Sequence, residues 1–384
     1  METRKLYYED SHRREFTARI LSCEAGEKGY EVILDATAFY PEGGGQACDL
    51  GSLGEATVLD VRERGEVIVH LCDKPLAAAS QVTGLIDWER RFDLMQQHSG
   101  EHMVSGVIHR RYGYHNVGFH MGSEVITIDF DGVIPAEDLP AIEAEVNGGI
   151  WADLPIRCWY PEPEVLPTVG YRTKKELPWP VRIVEVPGYD KCACCGTHVQ
   201  RTGEIGLVKL FNSIGCRGGS RMEMACGKRA VELLNQAFDQ NRQVSQAFSA
   251  QTCETGAAAR RMNEALEQEK LRYAALQKKL FGFVAESYVN CGDVLHFEED
   301  LDSVQIRVLA DAIAETCGGR AAVFSGSEEA GYAFALVTRE GDLRAFGKAM
   351  TTALNGRGGG KPIFQQGRVT ATREQIRAFF EENR

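Results

Sequence analysis

The sequence predicts an α+β protein of several domains: a small all-β N-terminal region, an α+β domain, a helix-rich stretch and a small C-terminal α/β domain. Three observations carry this. The chain has 384 residues, more than one hydrophobic core usually organises. Short runs of alternating apolar and polar residues, punctuated by glycine, extend from Lys5 to about Trp88. From Lys228 to Phe281 the chain then runs without a proline.

In the first region, residues 16–21, 30–34 and 67–71 alternate with period two between glycine-rich turns, which reads as a barrel or a sandwich of short strands. The pattern changes near Asp87. Residues 91–109 lack proline and hold Leu94, Met103, Val104, Val107 and Ile108, so an amphipathic helix is expected. A strand is expected over 124–130. A second helix is expected over 135–147, opened by Pro135 and closed at Gly148 and Gly149. Further strands are expected over 181–186, 205–211 and 221–225. Helices mixed with antiparallel-looking strands make 89–228 an α+β domain. In 229–283, Leu266, Tyr273 and Leu280 lie seven apart and a break falls around 252–256. Two helices forming a hairpin or an oligomer seam, or one long surface helix on its own domain, both fit. Residues 284–384 alternate helix (304–316) with strand (321–325 and 332–338) and contain Gly358, Gly359, Gly360 and Lys361.

With 43% hydrophobic and 26% charged residues, composition is that of a globular protein. No apolar run approaches the roughly 20 residues that span a bilayer, and the N-terminus lacks the apolar stretch of a signal peptide. A cytoplasmic protein without a membrane partner is expected. Twelve cysteines without a secretion signal argue against a disulfide framework. Most, such as Cys23, Cys48, Cys72 and Cys291, are scattered and read as small buried hydrophobes. The net charge of −12 argues against indiscriminate coating of nucleic acid.

The chemistry concentrates elsewhere. His98 and His102 are four apart, one helical turn on one face, and two imidazoles so placed chelate a divalent ion. Cys194 and His198 are also four apart, with Gly196 between them, so that segment reads as a turn. Together the four make a sulfur and nitrogen set that selects zinc over magnesium or calcium. A zinc-protease signature places its general-base glutamate directly after the first histidine. Here Ser99 stands there and Glu101 precedes the second histidine, so Glu101 is expected to face away from the metal and the protease reading is rejected. Gly43, Gly44 and Gly45 make either a tight β-connection or a close approach to a ligand. Gln46 reads as a turn or a pocket residue. Arg221 pairs with a carboxylate of its own chain or meets substrate. Gly358, Gly359 and Gly360 with Lys361 cradle phosphate through backbone amides or form a flexible loop.

These segments resemble the editing domain of alanyl-tRNA synthetases and their free-standing AlaX relatives. The first histidine motif of that family is similar to Gln96-Gln97-His98-Ser99-Gly100-Glu101-His102. The second, Cys-Gly-Gly-Thr-His-Val, is similar to Cys194-Cys195-Gly196-Thr197-His198-Val199. Thr202-Gly203-Glu204-Ile205-Gly206 and Gly219-Ser220-Arg221-Met222-Glu223 also fit. Phe39-Tyr40-Pro41-Glu42-Gly43-Gly44-Gly45-Gln46 resembles the glycine-rich motif of the longer AlaX proteins. Gly358-Gly359-Gly360-Lys361-Pro362 resembles the glycine motif of the synthetase's C-terminal RNA-binding domain. Cys195 departs from the pattern and leaves a spare thiol, so Cys195 or Cys192 competes with Cys194; Cys194 keeps the four-residue spacing to His198.

The resemblance implies an N-terminal small β-barrel (1–88), a two-layer α+β editing domain of the threonyl/alanyl-tRNA synthetase second additional type (89–228), a helical linker (229–283) and a C-terminal tRNA-binding domain (284–384). It implies one zinc ion on His98, His102, Cys194 and His198. The implied substrate is mischarged tRNA(Ala), chiefly Ser-tRNA(Ala), with Gly-tRNA(Ala) as a second. Substrate or tRNA contacts are expected of Gly43, Gly44, Gly45, Gln46, Arg221, Gly358, Gly359, Gly360 and Lys361, and the apolar spacing of the helical stretch allows a homodimer through the linker and C-terminal domain. With no room for an aminoacylation domain upstream, the chain is expected to hydrolyse charged tRNA and not to make it. Four protein ligands normally mark a closed structural zinc site, whereas catalysis wants an open position. Zinc that activates water, polarises the carbonyl or anchors the substrate's amino group all fit. Threonyl-type editing of another tRNA and a non-catalytic zinc-stabilised tRNA-binding protein are the alternatives.

Overall fold

In the computed structural model, which describes residues 2–173, 179–216 and 218–383, the chain is a mixed α+β protein. It divides into two compact units, one ending at Gln243 and one beginning at Val244.

The first unit opens with β1 (Arg4–Lys5) and a single helical turn, α1 (Leu6–Glu9). There follow β2 (Glu15–Gly26), β3 (Gly29–Leu34), β4 (Ala36–Thr37), β5 (Gly51–Leu53), β6 (Ala56–Arg64), β7 (Val67–Cys72) and β8 (Gln81–Ile86). Six of these pair in the cyclic order β2-β3-β7-β6-β5-β8, and the sheet closes on itself. Strict alternation explains it: Phe16, Ala18 and Ile20 of β2 and Val82 and Ile86 of β8 point inward, and their neighbours face solvent.

Helix α2 (Trp88–Tyr112) follows at once, capped by the Asp87 carboxylate on the Arg90 N–H and stopped by Gly113 in the left-handed region at φ 75°. It is longer than the expected 91–109, and it is not amphipathic. Every residue from Leu94 to Ile108 is buried. Its polar members survive there because each meets a partner; Gln97, for example, donates to the Cys226 carbonyl and accepts from the Cys226 N–H.

Strands β9 (Asn116–Met121) and β10 (Ile126–Phe130) come next, the latter shorter than the expected 124–130. Helix α3 (Leu139–Trp151), after one 3₁₀ turn, runs straight through Gly148 and Gly149, where a stop was expected. The reason is packing: a Cβ on Gly149 would lie 2.3 Å from Tyr189 Cζ, so that glycine serves close helix contact. Strands β11 (Arg157–Trp159), β12 (Ile183–Val186) and β13 (Asp190–Ala193) form one small sheet. Strands β14 (Val208–Cys216) and β15 (Gly219–Cys226) join β10 and β9 in the order β14-β15-β10-β9. Ile126, Ile128 and Phe130 of β10 pack with Met103, Val104 and Val107 of α2 in the core of this region. Helix α4 (Gly227–Ala247) follows and runs a few residues past the boundary at Gln243.

In the second unit, α5 (Thr255–Glu286) precedes β16 (Gly292–Glu298), α6 (Ser303–Thr316), β17 (Gly318–Ser327), β18 (Gly331–Val337), α7 (Arg344–Ala353), β19 (Gly356–Lys361), β20 (Phe364–Val369) and α8 (Arg373–Glu382). The proline-free stretch thus forms two helices, broken between Ala247 and Thr255. The sheet order is β16-β17-β18-β20-β19, so Gly358, Gly359, Gly360 and Lys361 lie in an extended edge strand. No flexible loop is formed; backbone pairing with β20 runs from Gly356↔Val369 to Lys361↔Phe364. Among the described residues no helix is long and apolar enough to cross a membrane.

Candidate metal centre

The centre begins with α2, whose helical pitch places His98 and His102 on one face. The opposing donors come from the turn after β13, where Cys194 and His198 arrive almost a hundred positions later. One ligand atom from each of His98, His102, Cys194 and His198 lies within 4.8 Å of the others. Cys194 Sγ is 3.4 Å from His98 Nε2 and 3.5 Å from His198 Nε2.

All three imidazoles turn the same nitrogen inward, and the outer nitrogen explains why. His98 Nδ1–H donates to Gln46 Oε1 (2.9 Å), His102 Nδ1–H to Asp190 Oδ2 (2.8 Å), and His198 Nδ1–H to Ser99 Oγ (3.2 Å). An Nδ1 that donates outward leaves the Nε2 lone pair free for an ion. The supports are themselves held. Arg172 grips Asp190 through two bonds of 2.7 and 2.8 Å. Arg182 Nη1 donates to the carbonyls of Cys194 and Gly196, each at 2.9 Å, and fixes the turn.

Charge follows this geometry. Burial raises the Cys194 thiol, but the surrounding His98, His102 and His198 rings outweigh it and hold the thiol well below its ordinary range. Burial and the neighbouring His98 push His198 down to about 3. Burial also opposes a charge on His102, but Asp190 and Cys194 overcome it and raise that ring well above its ordinary value. A thiolate ready to ligate, with three oriented imidazoles, suits a borderline-soft divalent ion.

Cys194 is the cysteine that groups with His98, His102 and His198; Cys195 is exposed, and Cys192 is buried in a second group with His102 and Asp190. Beside the four donors lies a cavity of about 290 Å³, bordered among others by Gly44, Glu101, Asn116, Phe119 and Arg172. Phe119 stacks on His98 with ring centres 5.4 Å apart.

The other expected residues are held by partners within the chain. Gln46, expected on tRNA, is buried and turned inward: Oε1 accepts from His98 and from the Thr197 N–H (3.2 Å), and Nε2 donates to Thr197 Oγ1 (2.7 Å). Gly43 to Gln46 is a two-residue hairpin turn with Gly44 and Gly45 at φ 61° and 84°, a turn that needs glycine-like backbone. Arg221 is paired across the sheet with Asp129 through bonds of 2.7 and 2.8 Å. Glu101, expected to face away, borders the cavity with Oε2 4.0 Å from His102 Nε2. It is three positions from His98, and i, i+3 is a same-face spacing; that signal was available in the sequence. Asp190, Ser99 and Arg182 left no such signal, because nothing in their spacing tells which ring they face.

Residues 181–225 match the family described as threonyl and alanyl tRNA synthetase second additional domain, the segment that supplies Cys194 and His198. Residues 5–90 match the family of class II (A) tRNA synthetases. The alanyl-tRNA editing protein Aarsd1 of Mus musculus is 28% identical over 94% of this chain and 93% of its own length. The chain is a homologue of the alanyl-tRNA editing proteins. A second such editing protein, Aarsd1-B of Xenopus laevis, is 27% identical over 92% of this chain and 90% of its own length. The alanine–tRNA ligase of Thermofilum pendens is 32% identical over 97% of this chain, which spans 43% of the ligase. The editing-protein relationship therefore extends over the barrel, the His/Cys centre and the second unit alike.

Proposed function

We propose that this protein hydrolyses the ester bond of mischarged tRNA(Ala), chiefly Ser-tRNA(Ala) and secondarily Gly-tRNA(Ala), at a single zinc ion held by His98, His102, Cys194 and His198. One observation carries the reading: three imidazoles with matched tautomers and one thiolate converge beside a cavity, in a chain that aligns with editing proteins over nearly its whole length. Bound zinc supplies Lewis acidity for ester hydrolysis.

The chain's own residues supply position. Gln46, Asp190 and Ser99 fix the three rings. Phe119, stacked on His98, covers the cavity and limits water. The hairpin at Gly43, Gly44 and Gly45 lies at its mouth and lets the acceptor end come close. Serine exceeds alanine by a hydroxyl, which an apolar synthetic site rejects poorly. A polar second site discriminates better, because alanine leaves its hydrogen-bonding groups unpaired.

In this reading 1–88 is the barrel that closes the site, 89–228 the editing domain, 229–283 a helical linker and 284–384 a tRNA-binding domain. Edge strand β19 offers those amides of the Gly358, Gly359 and Gly360 run that face away from β20, and the charge of Lys361, to the RNA backbone. The exposed Leu266, Tyr273 and Leu280 of α5, seven apart, form the seam of a homodimer. The protein acts in the cytoplasm.

The test is a deacylation panel. Ser-tRNA(Ala) should decay fast, Gly-tRNA(Ala) measurably, and Ala-tRNA(Ala) at the uncatalysed rate. Equal decay of Ala-tRNA(Ala) contradicts the proposal, and a preference for Ser-tRNA(Thr) moves the protein to threonyl-type editing. Binding of tRNA without any decay makes it a zinc-stabilised binding protein.

A further inference from the structure

We propose that Glu101 binds the α-ammonium group of the aminoacyl ester, so that the site requires a free amine and spares tRNA whose amino group is blocked, as in peptidyl-tRNA. This rests on the editing reading above. Glu101 is 5% exposed and borders the cavity beside His98, His102 and Cys194.

Its two carboxylate oxygens are in different situations. Oε1 accepts from Ser105 Oγ (2.5 Å) and from Asn116 Nδ2. Oε2 accepts no hydrogen bond among the described residues; His102 Nε2 is 4.0 Å away, and the Arg172 charge acts on Glu101 from the same cavity lining without a hydrogen bond to it. Asn116 contributes a second acceptor without a donor among the described residues, its Oδ1. The cations nearby are committed: Arg172 turns Nε and Nη2 to Asp190, and His102 turns Nδ1 to the same carboxylate. Glu101 Oε2 borders the cavity without a donor, so a cationic group that enters there can bond it. This is therefore the corner of the cavity that calls for a cation.

An aminoacyl ester brings one. Its ammonium carries a full charge and three N–H donors, as a lysine head group does. It is bonded to the same carbon as the ester carbonyl, so the two lie only about 2.5 Å apart. A carbonyl at the His/Cys centre thus carries the ammonium towards a group beside that centre, where Oε2 stands. The other donor in the substrate is the serine hydroxyl. It is neutral and offers a single hydrogen, and it therefore bonds a carboxylate less strongly than the charged ammonium does.

Three non-hydrolysable 3′-amide analogues of the terminal adenosine test this by calorimetry: seryl, alanyl, and 3-hydroxypropanoyl, which is seryl without its amine. The zinc-loaded wild-type protein should bind seryl roughly 10- to 100-fold tighter than 3-hydroxypropanoyl, the span of a charged hydrogen bond. Glu101→Gln should bring that ratio to about 1 by weakening seryl alone. Equal weakening of both analogues would mean that Glu101 only braces Ser105 and Asn116, and would overturn the proposal. Loss of the seryl-over-alanyl preference instead would make Glu101 a hydroxyl reader, and would also overturn it. If Glu101→Gln fails to fold or to hold zinc, the wild-type ratio decides alone, and a ratio near 1 overturns the proposal. Wild-type protein that deacylates Ser-tRNA(Ala) yet ignores the amine refutes this inference only. Protein that binds no analogue and leaves Ser-tRNA(Ala) intact refutes the editing reading, and this inference with it.

Discussion

Gln46→Ala removes a side chain that makes no contact with any ion yet should decide how well one is held. The Gln46 amide sits in the barrel's glycine hairpin and makes three buried hydrogen bonds, to His98 Nδ1, the Thr197 N–H and Thr197 Oγ1. At about 1 kcal/mol net for each, the metal-free protein should lose about 3 kcal/mol of stability. His98 also loses the acceptor that fixes its tautomer, and removal of such an outer partner weakens metal affinity by roughly 10- to 100-fold. Competition with a chromophoric chelator reads the affinity, and urea unfolding of the stripped protein reads the stability. Gln46→Glu is the control: its carboxylate still accepts from His98 and from the Thr197 N–H, so most of the affinity should return. If Gln46→Ala held zinc within about twofold of wild type, the claim that the barrel orients the ligand ring would be wrong.

Three further outcomes follow from the same coordinates. Gly196→Ala places a methyl carbon 2.1 Å from His98 Cε1, and the protein should fold but retain less than about one hundredth of its zinc affinity; wild-type zinc content after dialysis would contradict this. Arg91 and Asp49 are fully buried and paired, with Arg91 also bonded to the carbonyls of Ala38 (2.6 Å) and Ser11 (3.0 Å). Arg91→Met strands the carboxylate and should lower stability by about 3–5 kcal/mol, which an Asp49→Leu, Arg91→Met pair recovers in part by urea midpoint. His70 is fully buried in the barrel, between the Val32 carbonyl and the Thr37 hydroxyl, and burial lowers it to about 4. Its unfolded value is about 6.5, so between these values the unfolded chain binds more protons and stability falls as pH drops. The loss should reach about 3 kcal/mol near pH 4, and His70→Gln should flatten that slope in unfolding curves taken from pH 7 to 4; an unchanged slope would sink the assignment.

The four donors were legible in the sequence because both pairs carry their spacing on a single local element. What faces those donors was not. Gln46 supports His98 from 52 positions away and Asp190 supports His102 from 88, and neither distance leaves a periodic trace. Glu101 directly precedes His102, which points it away from the metal face, but its three-residue offset from His98 returns it to that face. Burial of α2 on every side hid behind its polar residues, which look solvent-facing until their partners arrive from other strands. Glycine usually marks turns, yet the loop that was one alternative for 358–360 does not form, because edge strand β19 uses those glycines in extended pairing. Gly149 misled for a similar reason, as it serves close packing against Tyr189 rather than a helix stop.

The most direct measurement of the central claim is the rate of Ser-tRNA(Ala) decay by protein stripped with a chelator and then reloaded with one equivalent of zinc. Stripped protein should be inactive, and one equivalent should restore the full rate in wild type and not in His102→Ala. Full activity of the stripped protein, or of His102→Ala without bound zinc, would contradict the account.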